Sequence, residues 1–311
     1  MKLRLSISTM LILFISMMIF SVPISAHEIG ETTTTYTAVL NELELYRTLQ
    51  NLPETALIDA GYSEKDIQRI KNVNYEDLLC QRAQLPDKTL LNMGYSSSEI
   101  EILRNYYGSP IEVGSTVYGL AGTLTADISC TSASTTSYKV SYKWELDHCP
   151  FVVYIDAIGI RWVAIANDGL PVDVSAYSSK ATVDYYYGSD IEITKTYTAS
   201  DSNFASETNF NALTCTFSMT SNSQIDDPAY ALAGSLSTTI KRDSGVTRDI
   251  YYLKIASCYG HSIINIGAPT VSYTPGDTNI GFSFTGGFNI DNIGIKKYKI
   301  YTNCTKEAID A

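Results

Sequence analysis

The chain has 311 residues, 45% of them hydrophobic, and a formal net charge of −11 at pH 7. This length is sufficient for a substantial core and for more than one domain. The excess of acidic residues argues against binding to nucleic acid or to anionic membrane surfaces, because both would repel a strongly negative protein.

Residues 1–26 have the pattern of a secretory signal peptide. Lys2 and Arg4 precede an apolar run, "LILFISMMIF", and the small residues Ser25 and Ala26 follow it. The run is too short to favour a permanent membrane span. We therefore expect cleavage after Ala26 and secretion of a soluble protein. Removal of two cations leaves 20 Lys and Arg against 33 Asp and Glu, a net charge of −13.

Residues 27–38 are interpreted as a linker, and residues 39–107 as a helical domain built on a 33-residue repeat. The segment 52–72, "LPETALIDAGYSEKDIQRIKN", aligns with the segment 85–105, "LPDKTLLNMGYSSSEIEILRN", with eight identities in 21 positions. Each copy combines a proline at a helix start, a glycine suited to a helix end and a serine followed three residues later by an acid. The sequence therefore predicts a compact bundle of about six short helices.

The second copy contains "NMGYSSSEIEILRN", residues 92–105. This stretch resembles the Met-Gly-Phe/Tyr loop and following helix of ubiquitin-associated domains. The resemblance implies a tight turn between two helices. The first copy carries Ala60 at the position of Met93, and a secreted protein rarely meets ubiquitin. The repeat is therefore interpreted as structure, and no ubiquitin binding is inferred.

Residues 108–311 are predicted to form a large all-β domain. Beyond this boundary apolar and polar residues alternate, as in "SYKVSYKWEL" at 137–146. Roughly a dozen short strands without crossover helices are typical of an antiparallel sandwich. The predicted fold class is multidomain α and β, with a small N-terminal helical bundle followed by a sandwich-like all-β domain. The sequence leaves open whether this domain is one sandwich or two, with a seam near 200–229.

Six cysteines in a secreted protein predict disulfide bonds. Pairs within the sheets are favoured, for instance Cys130 with Cys149 across adjacent strands, although the sequence does not determine the connectivity. The candidates are Cys80, Cys130, Cys149, Cys215, Cys258 and Cys304.

Two of the three histidines lie close to a cysteine, in "DHCP" at 147–150 and "CYGH" at 258–261. His148, Cys149, Cys258 and His261 have the ligand types of a zinc site. No second half-site is recognisable, so the favoured interpretation is that both histidines lie at strand ends and bond to backbone groups. No metal site is predicted from them.

Acidic turns at 167–169, 200–203 and 226–227 offer carboxylate and carbonyl oxygens, the ligands that calcium prefers. No loop has the spacing of a dedicated calcium motif. Solvated turn residues are therefore the favoured interpretation, and no cofactor is predicted, with calcium as the alternative.

Tyrosine is the unusual component of the composition, with 23 residues and runs at 184–188 and 250–254. Neighbouring residues of a strand point to opposite faces, so some of these rings should be exposed. Tyrosine among small polar residues is typical of recognition surfaces, although aromatic residues also suit strands in general. The predicted binding residues are Tyr185, Tyr186, Tyr187, Tyr251 and Tyr252.

The segment 263–290 carries a single charge, Asp277, and alternates apolar residues with small polar ones. A membrane-inserting hairpin has this pattern, and so does an ordinary sandwich hairpin, which is favoured.

Together these patterns predict a secreted, non-catalytic protein that recognises an extracellular carbohydrate or protein through a tyrosine-rich β surface. The alternatives are a toxin or bacteriocin-like protein whose 263–290 hairpin enters a membrane, and a secreted hydrolase. No nucleophile with an adjacent base is recognisable, and the scattered acids do not single out a glycosidase pair, so no catalytic residue is predicted.

Overall fold

The computed structural model describes the backbone of residues 32–40, 42–59, 62–107, 120–134, 136–207, 211–221 and 228–261, and of the strand segments 270–273, 282–285, 288–290, 296–300 and 306–309. The signal peptide predicted for residues 1–26 lies outside the described residues. Antiparallel sheets dominate the described chain, and its helices lie in the N-terminal region. Within the same residues, no helix is both long and apolar enough to cross a membrane.

The part of the chain described here contains six helices, as the repeat pattern predicts. Ser63 and Ser96 are the N-caps of the third and sixth helices, and Asp66 and Glu99 complete a capping box at each. Both predicted caps are therefore confirmed. The helices are α1 Glu42–Asn51, α2 Glu54–Asp59, α3 Glu64–Asn72, α4 Tyr75–Ala83, α5 Asp87–Asn92 and α6 Ser97–Arg104.

Gly94 forms the turn between α5 and α6 and also brings the helices against the sheet. Its φ of +92° lies in the left-handed region, which favours glycine. A Cβ at this position would be 2.9 Å from the carbonyl oxygen of Asp147 and 3.0 Å from the Cα of His148. The Met-Gly-Tyr turn is thus buried against the chain's own sheet, where Cys149 N donates to Met93 O at 2.7 Å.

The described residues contain sixteen strands. They are β1 Thr32–Leu40, β2 Gly122–Ser134, β3 Ser137–Leu146, β4 Ile155–Ile165, β5 Val174–Tyr187, β6 Asp190–Thr198, β7 Phe204–Glu207, β8 Ala212–Ser218, β9 Thr220–Ser221, β10 Ala229–Arg242, β11 Tyr252–His261, β12 Thr270–Tyr273, β13 Phe282–Thr285, β14 Phe288–Ile290, β15 Lys296–Ile300 and β16 Lys306–Ile309.

Fourteen of these strands form two seven-stranded antiparallel sheets. The first sheet has the order β1-β2-β3-β10-β5-β6, with β9 also paired to β10. The second has the order β16-β15-β11-β4-β8-β7, with β14 also paired to β11. Each sheet contains strands from both sides of the seam considered at 200–229, so the described strands are not divided there.

Strand β1 departs from the sequence prediction. It pairs with β2 along its whole length, from Thr32 opposite Cys130 to Leu40 opposite Gly122. Residues 32–38 therefore do not form the predicted linker. Their threonine-rich sequence suits a strand, because β-branched side chains pack well on a pleated surface. The six helices are inserted between two neighbouring strands of one sheet.

Aromatic side chains join the two sheets. The ring of Trp144 on β3 stacks on Phe217 of β8, with centroids 5.2 Å apart, and meets the edge of Tyr259 on β11 at 5.1 Å. The hydroxyl of Tyr185 on β5 donates to the carbonyl oxygen of Ser218 at 2.9 Å. These contacts are compatible with the predicted sandwich. Buried apolar residues of the helices, such as Ile70, belong to the same core cluster.

Candidate functional site

The candidate site is a cleft between the two sheets, called here the interlayer cleft. It has a volume of about 510 Å³. Its lining comes from β4, β7 and the start of β8 in the second sheet, from the start of β5 in the first sheet, and from the turn after β10. The residues are Trp162, Asp173, Val174, Ser175, Ala176, Tyr177, Ser206, Asn211, Ala212 and Asp243.

The cleft arises where the chain changes sheets. Asn167, Asp168 and Gly169 form the tight turn that the sequence predicts, and Gly169 has a φ of +80°. A short pairing of Ile165 with Pro171 follows. Proline has no N–H with which to extend the ladder, and the chain leaves the second sheet here. The chain then crosses to the first sheet, where it continues as β5 and lines one wall of the cleft.

Trp162 lies on β4 and is 1% exposed. Its backbone N–H donates to the carbonyl oxygen of Asn211 at 3.0 Å, and Asn211 has a φ of +49°, which is uncommon outside glycine. Among the described residues, the indole Nε1–H of Trp162 has no hydrogen-bond acceptor. The indole Nε1–H of Trp144, which does not line the cleft, is also buried without a described acceptor, so this property does not mark a ligand site.

Two carboxylates lie in the same cleft. Asp243 N donates to the carbonyl oxygen of Asp173 at 3.1 Å, so the two residues are neighbours although they belong to different connections. Hydroxyls of Ser175 and Ser206 accompany them. The cleft therefore presents acceptors and mixed donor–acceptor groups around an open space.

Tyr177 forms an exposed aromatic edge of the cleft. It is 47% exposed, and the ammonium of Lys241 lies 5.0 Å from the centroid of its ring. A cation over an aromatic face is a favourable contact, so the ammonium of Lys241 is held against the Tyr177 ring at the opening of the cleft. Tyr177 is not among the tyrosines predicted to bind a partner, because it stands outside the tyrosine runs at 184–188 and 250–254.

A second polar cluster is fully buried where the helices meet the second sheet. His261 Nδ1 lies 3.0 Å from both carboxylate oxygens of Asp156, and its Nε2 lies 3.1 Å from Glu42 Oε1. Burial alone would lower the pKa of His261, but the charges and hydrogen bonds of Asp156 and Glu42 outweigh it and raise the pKa to about 10. His261 is therefore charged at neutral pH and joins two carboxylates.

Arg82 extends this cluster on the helical side. Its guanidinium donates to the carbonyl oxygens of Pro150 at 3.0 Å and Phe151 at 2.9 Å, and to the hydroxyl of Tyr95 at 2.9 Å. Burial opposes its charge, but neighbouring groups including Glu42 keep the pKa of Arg82 above its ordinary value. Because these groups are buried, the cluster stabilises the contact between helices and sheet and does not face solvent.

The tyrosines predicted to bind a partner differ in how far they are buried. Tyr185 is 0% exposed and points into the core, so its ring cannot contribute to an outer surface. Tyr186, Tyr187 and Tyr251 are half-buried, and the side chain of Tyr252 is outside the described part of the chain. Lys88 of α5 lies 5.7 Å from the ring centroid of Tyr187. The predicted residues do not converge on one described site.

The described cysteines do not form the predicted disulfides: Cys80, Cys130, Cys149, Cys215 and Cys258 are thiols. Cys304 lies outside the described residues. Where β2 pairs with β3, Cys130 lies opposite Val140, and Leu124 lies opposite Leu146. Cys149 comes after Leu146, beyond the end of β3. Six residues of strand separate Val140 from Leu146, so Cys149 is about 20 Å or more from Cys130. A disulfide needs Cα atoms within about 7 Å, so this pairing is wrong.

Cys215 and Cys258 flank β4 but point to opposite faces of the sheet. Cys215 is opposite Ile158, and Cys258 is opposite the next residue, Gly159. Successive residues of a strand alternate between faces, so these two sulfurs are kept apart.

Both histidines of the Cys–His pairs are engaged with protein groups. His148 Nε2 is 2.9 Å from the carbonyl oxygen of Leu120, and its Nδ1 is 3.1 Å from Asp147 Oδ1 and 3.4 Å from Glu99 Oε1. His148 thus has the backbone partner that the sequence predicts, whereas His261 bonds to carboxylates. Among the described residues, no three His, Cys, Asp or Glu side chains are placed to hold a metal ion.

The acidic turns considered for calcium use their carboxylates locally where they are described. Asp168 Oδ1 accepts from Leu170 N at 3.1 Å, and Asp201 Oδ2 accepts from Thr198 N at 2.7 Å. This is the turn role that the sequence favours. Residues 226–227 lie outside the described residues.

The chain matches no family model, and no curated protein sequence matches it.

Proposed function

We propose that this chain is a secreted, non-catalytic protein that binds a carbohydrate in the interlayer cleft. The observation that carries the proposal is a concave cleft in which the exposed ring of Tyr177 stands beside a polar lining of Asp173, Ser175, Ser206, Asn211 and Asp243.

The remaining polar lining suits a ligand rich in hydroxyl groups. Carboxylates of Asp173 and Asp243 accept hydrogen bonds, and the groups of Ser175, Ser206 and Asn211 can both donate and accept. Each sugar hydroxyl donates once and accepts as well, so it can satisfy either kind of group. A few convergent polar groups in a concave site are the usual means of orienting a small ligand.

The size and the aromatic edge of the cleft support the same proposal. Its volume of about 510 Å³ lies within the range of about 300–1,000 Å³ for small-molecule pockets. Tyr177 presents an exposed ring at the opening, and tyrosine offers both a stacking face and a polar tip. The proposal keeps the tyrosine-based recognition expected from the sequence but places it at Tyr177 instead of the tyrosine runs.

The test is a glycan-array screen of residues 27–311, followed by calorimetry with the best ligand. Tyr177→Ala removes the exposed ring at the opening, and we expect its Kd to rise about 2- to 13-fold, the equivalent of about 0.5–1.5 kcal/mol for an aromatic contact. Mass spectrometry of the recovered ligand should show intact sugar, as a non-catalytic protein requires.

Tyr107→Ala is the matched control, since this tyrosine is 82% exposed at the end of the helical region. It should bind like the unmodified protein. A screen without any bound glycan, or a Tyr177→Ala variant that binds with unchanged affinity, would overturn the proposal. Hydrolysed ligand would favour the hydrolase alternative.

A membrane-inserting role is the second candidate function. Strands β12 and β13 of the segment 263–290 pair only with each other among the described strands, from Thr270 opposite Thr285 to Tyr273 opposite Phe282. A hairpin that hydrogen-bonds to neither large sheet is free of the ladder contacts that would hold it in place. Dye release from liposomes over a range of lipid compositions and pH tests this role, and intact liposomes under all conditions would reject it.

A further inference from the structure

Strand β1 forms one end of the first sheet. It pairs with β2 over its nine residues, Thr32–Leu40, and no other described strand pairs with it. The free edge of a sheet presents unpaired backbone N–H and C=O groups, which can bind a strand of another molecule. The sequence of β1, TTTTYTAVL, contains no charge, proline or glycine, and its register with β2 has no bulge. It is therefore a long, regular strand whose free edge is suited to pairing.

The other strands at the ends of the two sheets are less suited to pairing. β7 and β16 have four residues each. β6 has nine residues, but it carries Asp190, Glu192 and Lys195. Its register with β5 shifts after Tyr185, and Lys195 lies opposite the buried Val183, so a charge is on the inner face of this edge. Short strands, bulges and inward charges are the means by which proteins block edge pairing, and β1 has none of them.

A second copy of β1 fits this edge in an antiparallel register centred on Tyr36. Directly opposed residues of antiparallel strands point to the same face of the sheet. With Tyr36 opposite Tyr36 of the second copy, the buried residues Tyr36, Ala38 and Leu40 stay on the inner face in both copies. This register uses all nine residues of each strand and forms about eight to ten backbone hydrogen bonds. A typical protein–protein interface has about ten direct hydrogen bonds.

The outer face of β1 is compatible with itself in the same register. Thr37 lies opposite Thr35 of the second copy, and such Thr–Thr pairs are favourable across antiparallel strands. Val39, which is 60% exposed, gains Thr33 of the second copy as a neighbour. The chain has a net charge of −11, so two copies repel each other in general, but this register places no charge opposite another.

We propose that two copies of this chain associate edge to edge through β1 and form a two-fold dimer with a continuous first sheet. The contact uses the same strand of both copies, so the dimer is closed and does not extend into a fibre. The interlayer cleft is lined by β4, β5, β7 and β8, and three strands separate β5 from β1 in the first sheet. Pairing through β1 therefore leaves the cleft of each copy open.

Sedimentation equilibrium of residues 27–311 measures the association, and we expect monomers and dimers without larger species. Thr37→Lys brings a lysine of each copy close to the other at the paired edges, where the two charges repel. The Kd of the dimer should rise at least about fivefold, because each dimer contains the altered contact twice. Thr196→Lys is the matched control and should leave the Kd unchanged, since it alters an exposed threonine of β6 at the opposite edge of the sheet. Thermal melts check that both variants are folded.

Hydrogen–deuterium exchange of the unmodified protein locates the contact and decides the question if the lysine variant does not fold. Amides of residues 32–40 should exchange more slowly at concentrations where the dimer dominates than after dilution to monomers, whereas those of residues 190–198 should not change. The proposal is overturned by a monomer at all concentrations up to about 100 μM, by larger assemblies, or by a dimer without added protection at 32–40. A folded Thr37→Lys variant that dimerises no more weakly than Thr196→Lys also overturns it.

Discussion

Glu42 and His261 form a buried ion pair, with Oε1 of the glutamate 3.1 Å from Nε2 of the histidine, although 219 positions separate them in the chain. Glu42 is the first residue of α1 and His261 is the last residue of β11. The same carboxylate accepts hydrogen bonds from Phe151 N at 2.8 Å and Val152 N at 2.9 Å. One side chain therefore joins the helices, the segment after β3 and the second sheet.

Removal of this carboxylate should strongly destabilise the protein. In Glu42→Ala, the charged His261 loses one of its two acidic partners, and two buried backbone N–H groups lose their acceptor. We expect a loss of about 3–5 kcal/mol in the free energy of unfolding, the usual cost of breaking a buried ion pair from one side. Urea denaturation followed by circular dichroism measures it.

Glu101→Ala is a suitable control for that experiment, because Glu101 is an exposed residue of α6. Its effect should stay within about 0.5 kcal/mol, as for most surface substitutions. A Glu42→Ala protein as stable as this control would show that the buried pair contributes little.

The charge of His261 also makes stability depend on pH. Its pKa is raised from 6.5 to about 10 in the folded protein, because Asp156 and Glu42 outweigh the effect of burial. The stabilisation is complete below the unfolded value and is lost as the pH rises towards the folded value. We expect the free energy of unfolding to fall between about pH 7 and 9, by up to about 1.4 kcal/mol per pH unit for this one proton. Denaturation curves at several pH values test it.

His261→Gln isolates this contribution. The variant should be less stable near pH 6.5, and its free energy of unfolding should fall less steeply with pH. His148, whose pKa is also raised mainly by Asp147 against the effect of burial, adds its own slope in both proteins. The difference between the two curves therefore reports His261, and parallel curves would contradict the prediction. Above about pH 9 the thiol of Cys149 contributes too, because burial raises its pKa to about 12.

Gly234 on β10 is required by the packing of Trp144. A Cβ added there would overlap the carbonyl oxygen of Thr182 and lie 2.8 Å from Trp144 Nε1. We expect Gly234→Ala to lower the free energy of unfolding by about 1–3 kcal/mol, the usual cost of overfilling a packed interior. Gly122→Ala is the control, since its nearest neighbours would be 3.7 Å away. Equal melting temperatures for the two variants would argue against the close contact.

The features that the sequence predicts correctly are those determined by residues close together in the chain. Ser63 and Ser96 cap helices because the acid that completes each box is three residues away. On β3, alternation alone identifies the buried face, and Tyr138, Tyr142 and Trp144 all lie on it. A period of two is fixed by the backbone and needs no knowledge of the partner strands.

The candidate site depends on strand pairing, which the sequence does not display. Trp162, Asp173 and Asp243 lie on different strands and turns, and they meet only because the chain changes sheets after Pro171. The burial of the tyrosines at 184–188 also depends on strand pairing. The alternation of a strand indicates that Tyr185 and Tyr186 point to opposite faces of the sheet, but it does not indicate which of the two enters the core. The pairing of β5 with β10 determines that it is Tyr185.

The buried thiols should react slowly with alkylating reagents in the folded protein. Burial raises the pKa of Cys149 and of Cys215 to about 12, so the reactive thiolate is scarce at pH 8. Cys80 on α4 is only half-buried. We expect iodoacetamide to modify Cys80 at least about tenfold faster than the other two, as measured by peptide mass spectrometry. In denaturant the three rates should converge. Rapid native labelling of Cys149, or a peptide pair joined by a disulfide through any of the three, would show that these sulfurs are not the enclosed thiols seen here.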